Sequence, residues 1–188
     1  MSEFEFISVF VSIVVAFAMA ELLMGWGRLI RSRSLLEKPW YFIGWTTWLL
    51  FLMAFHYLGI WEYQLVRFHT VGQLVLLLSP PIVLVLLTFV LTPEIVPGKR
   101  LDLDAHYFDV KQWFFALAVV FMVLAFVADM LLPTFPETWI SRGVLAALII
   151  ISISILMMTR SRPVHTAILV LNIAYLVFGS IYQDVRGL

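Results

Sequence analysis

The sequence predicts an all-α integral membrane protein, a bundle of six transmembrane helices. Of its 188 residues, 63% are hydrophobic and only 13% are charged, whereas soluble domains are about 45–50% apolar and about 25% charged. The few charged residues separate continuous apolar runs, and each run approaches the roughly 20 residues that a helix needs to cross a bilayer. A transmembrane β-barrel would show alternating apolar and polar residues instead.

Six segments fit this pattern and form one predicted transmembrane domain over residues 1–188. The turns between them leave no room for an extramembrane domain. The acidic start, MSEFEF, differs from the basic start of a secretory signal, so we expect the first span to be retained. The predicted spans cover about residues 6–27, 39–61, 70–92, 112–132, 139–159 and 163–183.

Lysine and arginine are distributed unevenly between the two sides of the predicted bundle. Basic residues concentrate in the cytoplasmic loops of membrane proteins, and here they concentrate after the first, third and fifth spans. We therefore place these loops in the cytoplasm and both termini on the periplasmic side. Nine basic residues support this orientation, Arg28, Arg31, Arg33, Lys38, Lys99, Arg100, Lys111, Arg160 and Arg162, against three on the other side, Arg67, Arg142 and Arg186.

The two halves of the chain show a weak self-similarity. Ala20-Glu21-Leu22-Leu23, near the end of the first span, resembles Ala128-Asp129-Met130-Leu131, near the end of the fourth. Three spans per half would invert the second half relative to the first, as in many small transporters. We therefore consider a 3+3 inverted repeat.

The longest predicted loop joins spans three and four on the cytoplasmic side. Its end contains Asp102, Asp104, His106 and Asp109, which are residue types that ligate metals. Asp102 or Asp104 is also suited to cap the N-terminus of helix four. We favour a solvated loop with a helix cap and assign no metal.

Three segments carry a resemblance to a known group of proteins. They are SVFVSIVVAFAMAELLMGWGRLI, WEYQ and DLDAHYFDVKQWFF, of which HYFDVKQWFF is the most specific. Together they resemble a widespread family of small bacterial multi-span membrane proteins that has no assigned activity. The resemblance implies a bacterial inner (plasma) membrane and says nothing about chemistry.

Glu21 is the first candidate for a functional residue, because it lies well inside the apolar run of span one. A charge in the middle of a span costs about 2.5–3.5 kcal/mol on insertion scales, so the acid must be neutral, paired or in a polar cavity. It sits beside small residues that favour close helix packing. A proton or ion relay and a structural hydrogen bond, for example to Asn172, are both open, and a snorkelling arginine is within reach. The small residues are Ser8, Ser12, Ala16 and Ala20.

Spans three and six carry further candidates for a substrate or ion pathway. Ser79 and Pro80, followed by Pro81, interrupt span three at mid-depth and free carbonyl groups one turn earlier. Transporters often bind substrates at such interruptions, but structural kinks look the same. In span six, Asn172 and Tyr175 belong to a polar and aromatic stripe, which marks either a pathway or helix packing.

Two further sets of residues, the histidines and an acid–base pair, are interpreted from their predicted depths in the membrane. His56 lies within span two, and it forms with His69, His106 and His165 a set that resembles the paired ligands of a diheme cytochrome. Only His56 is well inside a span, so we assign no cofactor. Asp129 and Arg142 flank the turn between spans four and five. We expect a structural ion pair between them, with an outer vestibule site as the alternative.

Composition and missing motifs narrow the function classes. Acidic and basic residues are equal in number, 12 each, so we expect no nucleic-acid partner, because such a surface needs a basic excess. The chain contains no cysteine, which excludes a thiolate metal site and a cysteine nucleophile. The motifs of zinc proteases, serine hydrolases and nucleotide-binding proteins are also missing, so an enzyme is the less favoured class.

Three function hypotheses remain. The first is a small channel or transporter, homo-oligomeric because one six-helix bundle leaves little room for a gated path. The second is a non-catalytic accessory or scaffold subunit of a larger membrane complex. The third is a haem- or quinone-binding redox protein. In all three, the lipid bilayer is the main partner.

The predicted orientation has a direct test. A periplasm-dependent reporter fused after Leu188 should be active, because the excess of positive charge holds the opposite loops in the cytoplasm. Activity of a cytoplasm-dependent reporter at the same position would reverse the orientation and every predicted depth.

Overall fold

A computed structural model of the chain describes residues 3–64, 66–96, 99–132 and 139–182. In this part of the chain the protein is all-α, with six helices that run up and down alongside one another. The helices are α1 (Glu3–Arg31), α2 (Trp40–Gly59), α3 (Val71–Leu91), α4 (Leu103–Leu131), α5 (Trp139–Met158) and α6 (Arg162–Tyr182), with β1 (Leu36–Glu37), β2 (Leu101–Asp102) and 3₁₀ turns at Arg33–Leu35 and Ile60–Tyr63.

Four helices are long and apolar enough to cross a membrane. They are α1, α2 with its adjoining 3₁₀ turn, α3 and α4. The described side chains of α5 and α6 form shorter apolar stretches, Gly143–Met158 and Arg162–Val177. The chain is therefore compatible with a membrane protein, while six spans and an inverted repeat stay predictions.

The face that α1 buries differs from the face predicted for it. Ala16 and Ala20 are exposed, and the hydroxyl groups of Ser8 and Ser12 donate to carbonyl groups of their own helix. The buried residues recur at steps of three or four. Most of them have branched side chains, and the small residues among them are Ala18 and Gly25, which lies against Thr92. The buried hydrophobic residues are Ile7, Val11, Val15, Ala18, Leu22 and Leu29.

At one end of the bundle, the connections after α1 and α3 are joined. β1 and β2 pair in parallel, with Leu36 opposite Leu101. Lys38 Nζ lies 2.9 Å from an oxygen of Asp102. Asp102, one of the two caps that the sequence offered, also caps α4 by accepting from the backbone N–H of Ala105. That hydrogen bond and Lys38 lower the pKa of Asp102. We call this the β end; it also contains the turn between α5 and α6, residues 159–161.

The opposite end is organised around a carboxylate. The Tyr63 hydroxyl donates a hydrogen bond to Asp129, which joins the turn after α2 to the last part of α4. Phe4, near the start of α1, packs against Trp61 at a ring distance of 5.8 Å. We call this the acid end, and alternate helix ends meet here as an up-and-down bundle requires.

Aromatic side chains fill the interior of the bundle between α2 and α4. Trp45, Tyr107, Phe114 and Phe115 are fully buried. Trp45 and Phe115 meet edge to face at 4.9 Å, a favourable geometry for aromatic pairs. Trp48 continues the cluster toward the acid end and packs edge-on against Trp45. The half of the bundle near the β end is thus closed by large rigid rings.

Lys111 on α4 is buried, with 3% of its surface exposed. Its ammonium group donates three hydrogen bonds to backbone carbonyls, those of Leu156 at 2.9 Å, Met157 at 3.0 Å and Thr159 at 2.5 Å. The last four carbonyls of a helix have no partner within the helix, and a cation there also complements the helix dipole. Lys111 therefore acts as the C-terminal cap of α5.

His165 on α6 joins the same cap. Its Nε2 lies 3.0 Å from the Thr159 carbonyl oxygen, and its Nδ1 lies 2.6 Å from the Tyr107 hydroxyl. A carbonyl oxygen only accepts, so Nε2 carries the proton and Nδ1 accepts from Tyr107. Both ring nitrogens are therefore in use, which leaves neither for an axial bond to haem in this arrangement.

Removing the Lys111 ammonium should destabilise the protein strongly. We expect Lys111→Met to keep the length of the side chain but lower the free energy of unfolding by about 2–4 kcal/mol, because buried carbonyls at the end of α5 lose their donors. Thermal unfolding in detergent measures the loss. The matched control is Lys99→Met, at an exposed lysine of the same end; an equal loss in both variants would contradict the capping role.

Candidate functional site

A cavity with polar groups in its lining lies at the acid end. It is a cleft of about 430 Å³ between α2, α4, α5 and α6, within the range typical of small-molecule sites. We call it the acidic cleft. Small residues on facing helices, Ala125 and Ala146, leave the space that the aromatic rings occupy in the other half.

Two carboxylates line the acidic cleft. Glu62 belongs to the 3₁₀ turn after α2, and Asp129 lies in the last turns of α4. The hydrogen bond from the Tyr63 hydroxyl orients the Asp129 carboxylate. Both acids are partly buried, so their charge acts in a medium of lower dielectric than water.

Aromatic side chains form much of the wall of the acidic cleft. Trp48 and Phe55 come from α2, Phe126 from α4 and Tyr175 from α6. The faces of aromatic rings attract cations, and tryptophan does so most strongly. Rings and carboxylates together make a site that favours a positively charged group attached to an apolar body.

Two smaller cavities adjoin the acidic cleft. The first, of about 250 Å³, shares Glu62 and Asp129 with it and adds His56 and Pro80; we call it the side cavity. The second, of about 150 Å³, lies between α5 and α6 and shares Asn172 and Tyr175 with the cleft; we call it the lateral groove. The acidic cleft therefore borders a groove on the flank of the bundle.

Most of the residues predicted from the sequence lie around these cavities. Asn172, Tyr175 and Asp129 line the acidic cleft, and His56 and Pro80 line the side cavity. The Nε2 atom of His56 is buried and has no hydrogen-bond partner among the described residues. Asn172 donates to the Ile168 carbonyl of its own helix at 2.9 Å, which supplies the partner that its depth requires.

Helix α3 is continuous through the prolines, so the predicted interruption of span three is absent from its described backbone. The missing N–H of Pro80 would deprive the Leu76 carbonyl of its donor. The Ser79 hydroxyl replaces it and donates to that carbonyl at 2.8 Å. Ser79 therefore has a structural role, and Pro80 contributes its ring to the side cavity.

Glu21 lies away from these cavities. Its carboxylate is 3.0 Å from the guanidinium of Arg28, two turns further along α1, with 15% of the Glu21 side chain exposed and 45% of Arg28. The predicted hydrogen bond to Asn172 is therefore replaced by the snorkelling arginine. The predicted pair of Asp129 with Arg142 is not tested, because the Arg142 side chain lies outside the described part of the chain.

The sequence analysis missed Glu62 and three aromatic residues of the acidic cleft, Trp48, Phe55 and Phe126. Glu62 lies in the WEYQ segment, which entered the sequence analysis only through the resemblance and not for its acid. Glu62 and Asp129 are 67 positions apart, and only the packing of α2 against α4 brings them to one cleft. The signal available in the sequence was that Glu62 directly follows span two and Asp129 lies near the end of span four, on the same predicted side of the membrane.

The fold and the cleft define the class of this protein: an all-helical protein with four helices suited to cross a membrane and a cleft that combines carboxylates with aromatic rings. No protein-family model, curated protein or solved structure matches the chain. The function is therefore argued from the geometry alone.

The Glu21–Arg28 pair should behave as a weak structural pair. A double-mutant cycle of Glu21→Gln and Arg28→Gln should give a coupling energy of about 0.5–1 kcal/mol in thermal unfolding, because Arg28 is nearly half exposed. A coupling energy of zero would show that the two charges do not stabilise the fold together.

Proposed function

We propose that this protein is a small membrane carrier for organic cations, and that it binds them in the acidic cleft. The observation that supports this proposal is the combination of Glu62 and Asp129 with the rings of Trp48, Phe55 and Tyr175 around one cavity. Carboxylates neutralise the positive charge, and aromatic faces hold the apolar groups around it. This combination suits a tertiary or quaternary amine.

The size of the acidic cleft favours an organic cation over a metal ion. A volume of about 430 Å³ is in the range for a small organic molecule, and its walls are mainly carbon. An alkali or alkaline-earth ion would need several oxygen ligands at 2–3 Å. No group of three or more histidine or acidic side chains at metal-binding distance occurs among the described residues.

The closed β end favours a carrier over an open channel. Between the acidic cleft and the β end lie the fully buried rings of Trp45, Phe114 and Phe115, followed by the Lys111 cap. A cleft open to one end and blocked toward the other is one state of an alternating-access cycle. The proposed carrier would expose the same site to the other side by repacking this aromatic block.

The predicted orientation in the membrane would let the acidic cleft bind cations from the periplasmic side. We infer six spans in a bacterial inner membrane, with both termini and the acid end on the periplasmic side, because the segments that carry most basic residues meet at the β end. The 3+3 inverted repeat and a homo-oligomer belong to the same proposal. The second hypothesis, an accessory subunit of a larger complex, would have a partner protein cover the cleft.

Comparing the affinity for a cation with the affinity for its uncharged isostere separates the contribution of charge from that of shape. We expect benzyltrimethylammonium to bind the full-length protein in detergent micelles more tightly than neopentylbenzene, measured by titration calorimetry against protein-free micelles. Asp129→Asn should weaken cation binding about tenfold, the equivalent of ~1.4 kcal/mol. The amide retains an acceptor for Tyr63, so the fold is expected to persist.

Two exposed acids provide the controls. Asp109→Asn, on the same helix but near the β end, and Glu94→Gln, after α3, should leave binding unchanged, whereas Glu62→Gln should weaken it. Equal binding of the charged and neutral compounds, or equal losses in the Asp129 and Asp109 variants, would overturn the proposed site. Stoichiometric purification with another membrane protein, without cation binding, would favour the accessory subunit.

A further inference from the structure

The lateral groove between α5 and α6 starts beside the acidic cleft and runs along the flank of the bundle toward the β end. Asn172 and Tyr175 line both cavities. Further toward the β end the groove is lined by Ser152 on α5 and Ile168 on α6. Ile168 lies two turns of helix from Tyr175, a rise of about 10 Å. The groove is thus long and narrow, with one end at the cation site.

The walls of the lateral groove are suited to hydrocarbon. Apart from Ser152, Asn172 and Tyr175, the lining side chains are aliphatic; Leu148 and Leu171 are examples. Ser152 and Asn172 each donate a hydrogen bond to a carbonyl of their own helix, at 2.8 and 2.9 Å. Because these two donors are already engaged, an apolar occupant of the groove does not deprive them of a partner.

The outer side of the lateral groove is open. Leu148 and Leu171 form its rim, and 60% and 67% of their respective surfaces are exposed. The apolar side chains of Ile151 and Val170 beside it are exposed as well. In the membrane placement proposed above, this flank lies against the acyl chains of the lipid. The acidic cleft thus offers carboxylates and aromatic rings, while the groove beside it offers hydrocarbon walls that face the bilayer.

We propose that the substrates of this protein are amphipathic cations, with the ammonium group in the acidic cleft and an alkyl chain in the lateral groove. The head group lies near Glu62 and Asp129, and the chain passes alongside Asn172 and Tyr175, which border both cavities. A compact cation would leave the groove unused, and a neutral amphiphile would gain nothing from the carboxylates. This inference rests on the proposed carrier function and narrows its substrate class. The open flank lets such a molecule enter from the periplasmic leaflet.

The length of the alkyl chain tests the substrate class on the full-length protein in detergent micelles. We expect octyltrimethylammonium to bind at least about tenfold more tightly than butyltrimethylammonium, because each buried methylene group contributes about fourfold. Both affinities are corrected for partition into protein-free micelles. Equal affinities would overturn this inference and leave the acidic cleft as a cation site. Absence of binding for both cations would overturn the proposed function together with this inference.

Two pairs of variants assign the chain to the lateral groove. Ser152→Phe places a ring in the groove and should abolish the advantage of the longer chain, whereas Ile151→Phe, at an exposed neighbour that does not line the groove, should preserve it. Leu171→Ser is a milder change at the rim and should reduce the advantage, while the matched Val170→Ser should not. Equal effects within both pairs would place the chain elsewhere and overturn the inference.

Photocrosslinking shows whether the head group and the chain are bound together. Octyltrimethylammonium with a photoreactive group at the end of its chain should crosslink to α5 and α6 around Ser152 and Ile168. Asp129→Asn should reduce this crosslinking, because the head group is held less strongly in the acidic cleft. Crosslinks that spread evenly over all helices, or that are unchanged in the Asp129 variant, would indicate ordinary partition into the micelle and would overturn the inference.

Discussion

The position of α5 and α6 depends on one buried ammonium group. Lys111 is costly in an apolar interior unless each of its three donors has an acceptor. The end of α5 is equally costly to bury, because its last carbonyls have no helical partners. Three hydrogen bonds remove both costs together. The Thr159 carbonyl also accepts from His165, so the same contact fixes α6 and, through Tyr107, returns to α4.

The bundle is packed in two different ways along its length. Near the β end, Trp45, Phe114 and Phe115 fill the space between the helices completely. Near the acid end, alanines such as Ala125 and Ala146 face one another and leave a cleft. The proposed functions follow this division, since the open half offers a site for a small cation and the closed half separates it from the other side of the membrane.

Two polar groups within the apolar helices obtain their partners from the same helix. The serine before Pro80 supplies a donor to the carbonyl that the proline leaves unpaired, so α3 remains continuous. Arg28 lies two turns, or about 10 Å, further along α1 than Glu21. The two residues still form a pair, because the long arginine side chain reaches back along the helix. Both solutions are local, and the sequence contained the residues for each of them.

The sequence by itself determined the helical class, the approximate helices and an acidic cap of α4 at Asp102 or Asp104, because apolar runs and capping residues act over one or two turns. The structure selects Asp102. It also indicated most of the polar residues around the cleft. The tertiary structure decided which residues meet. It brings Glu62 and Asp129 to one cleft, joins Lys111 to the end of α5, and buries a different face of α1 from the one that carries Ala16 and Ala20. These contacts depend on how helices rotate and slide against one another, and that is set by side-chain volume across the whole bundle rather than by any one segment.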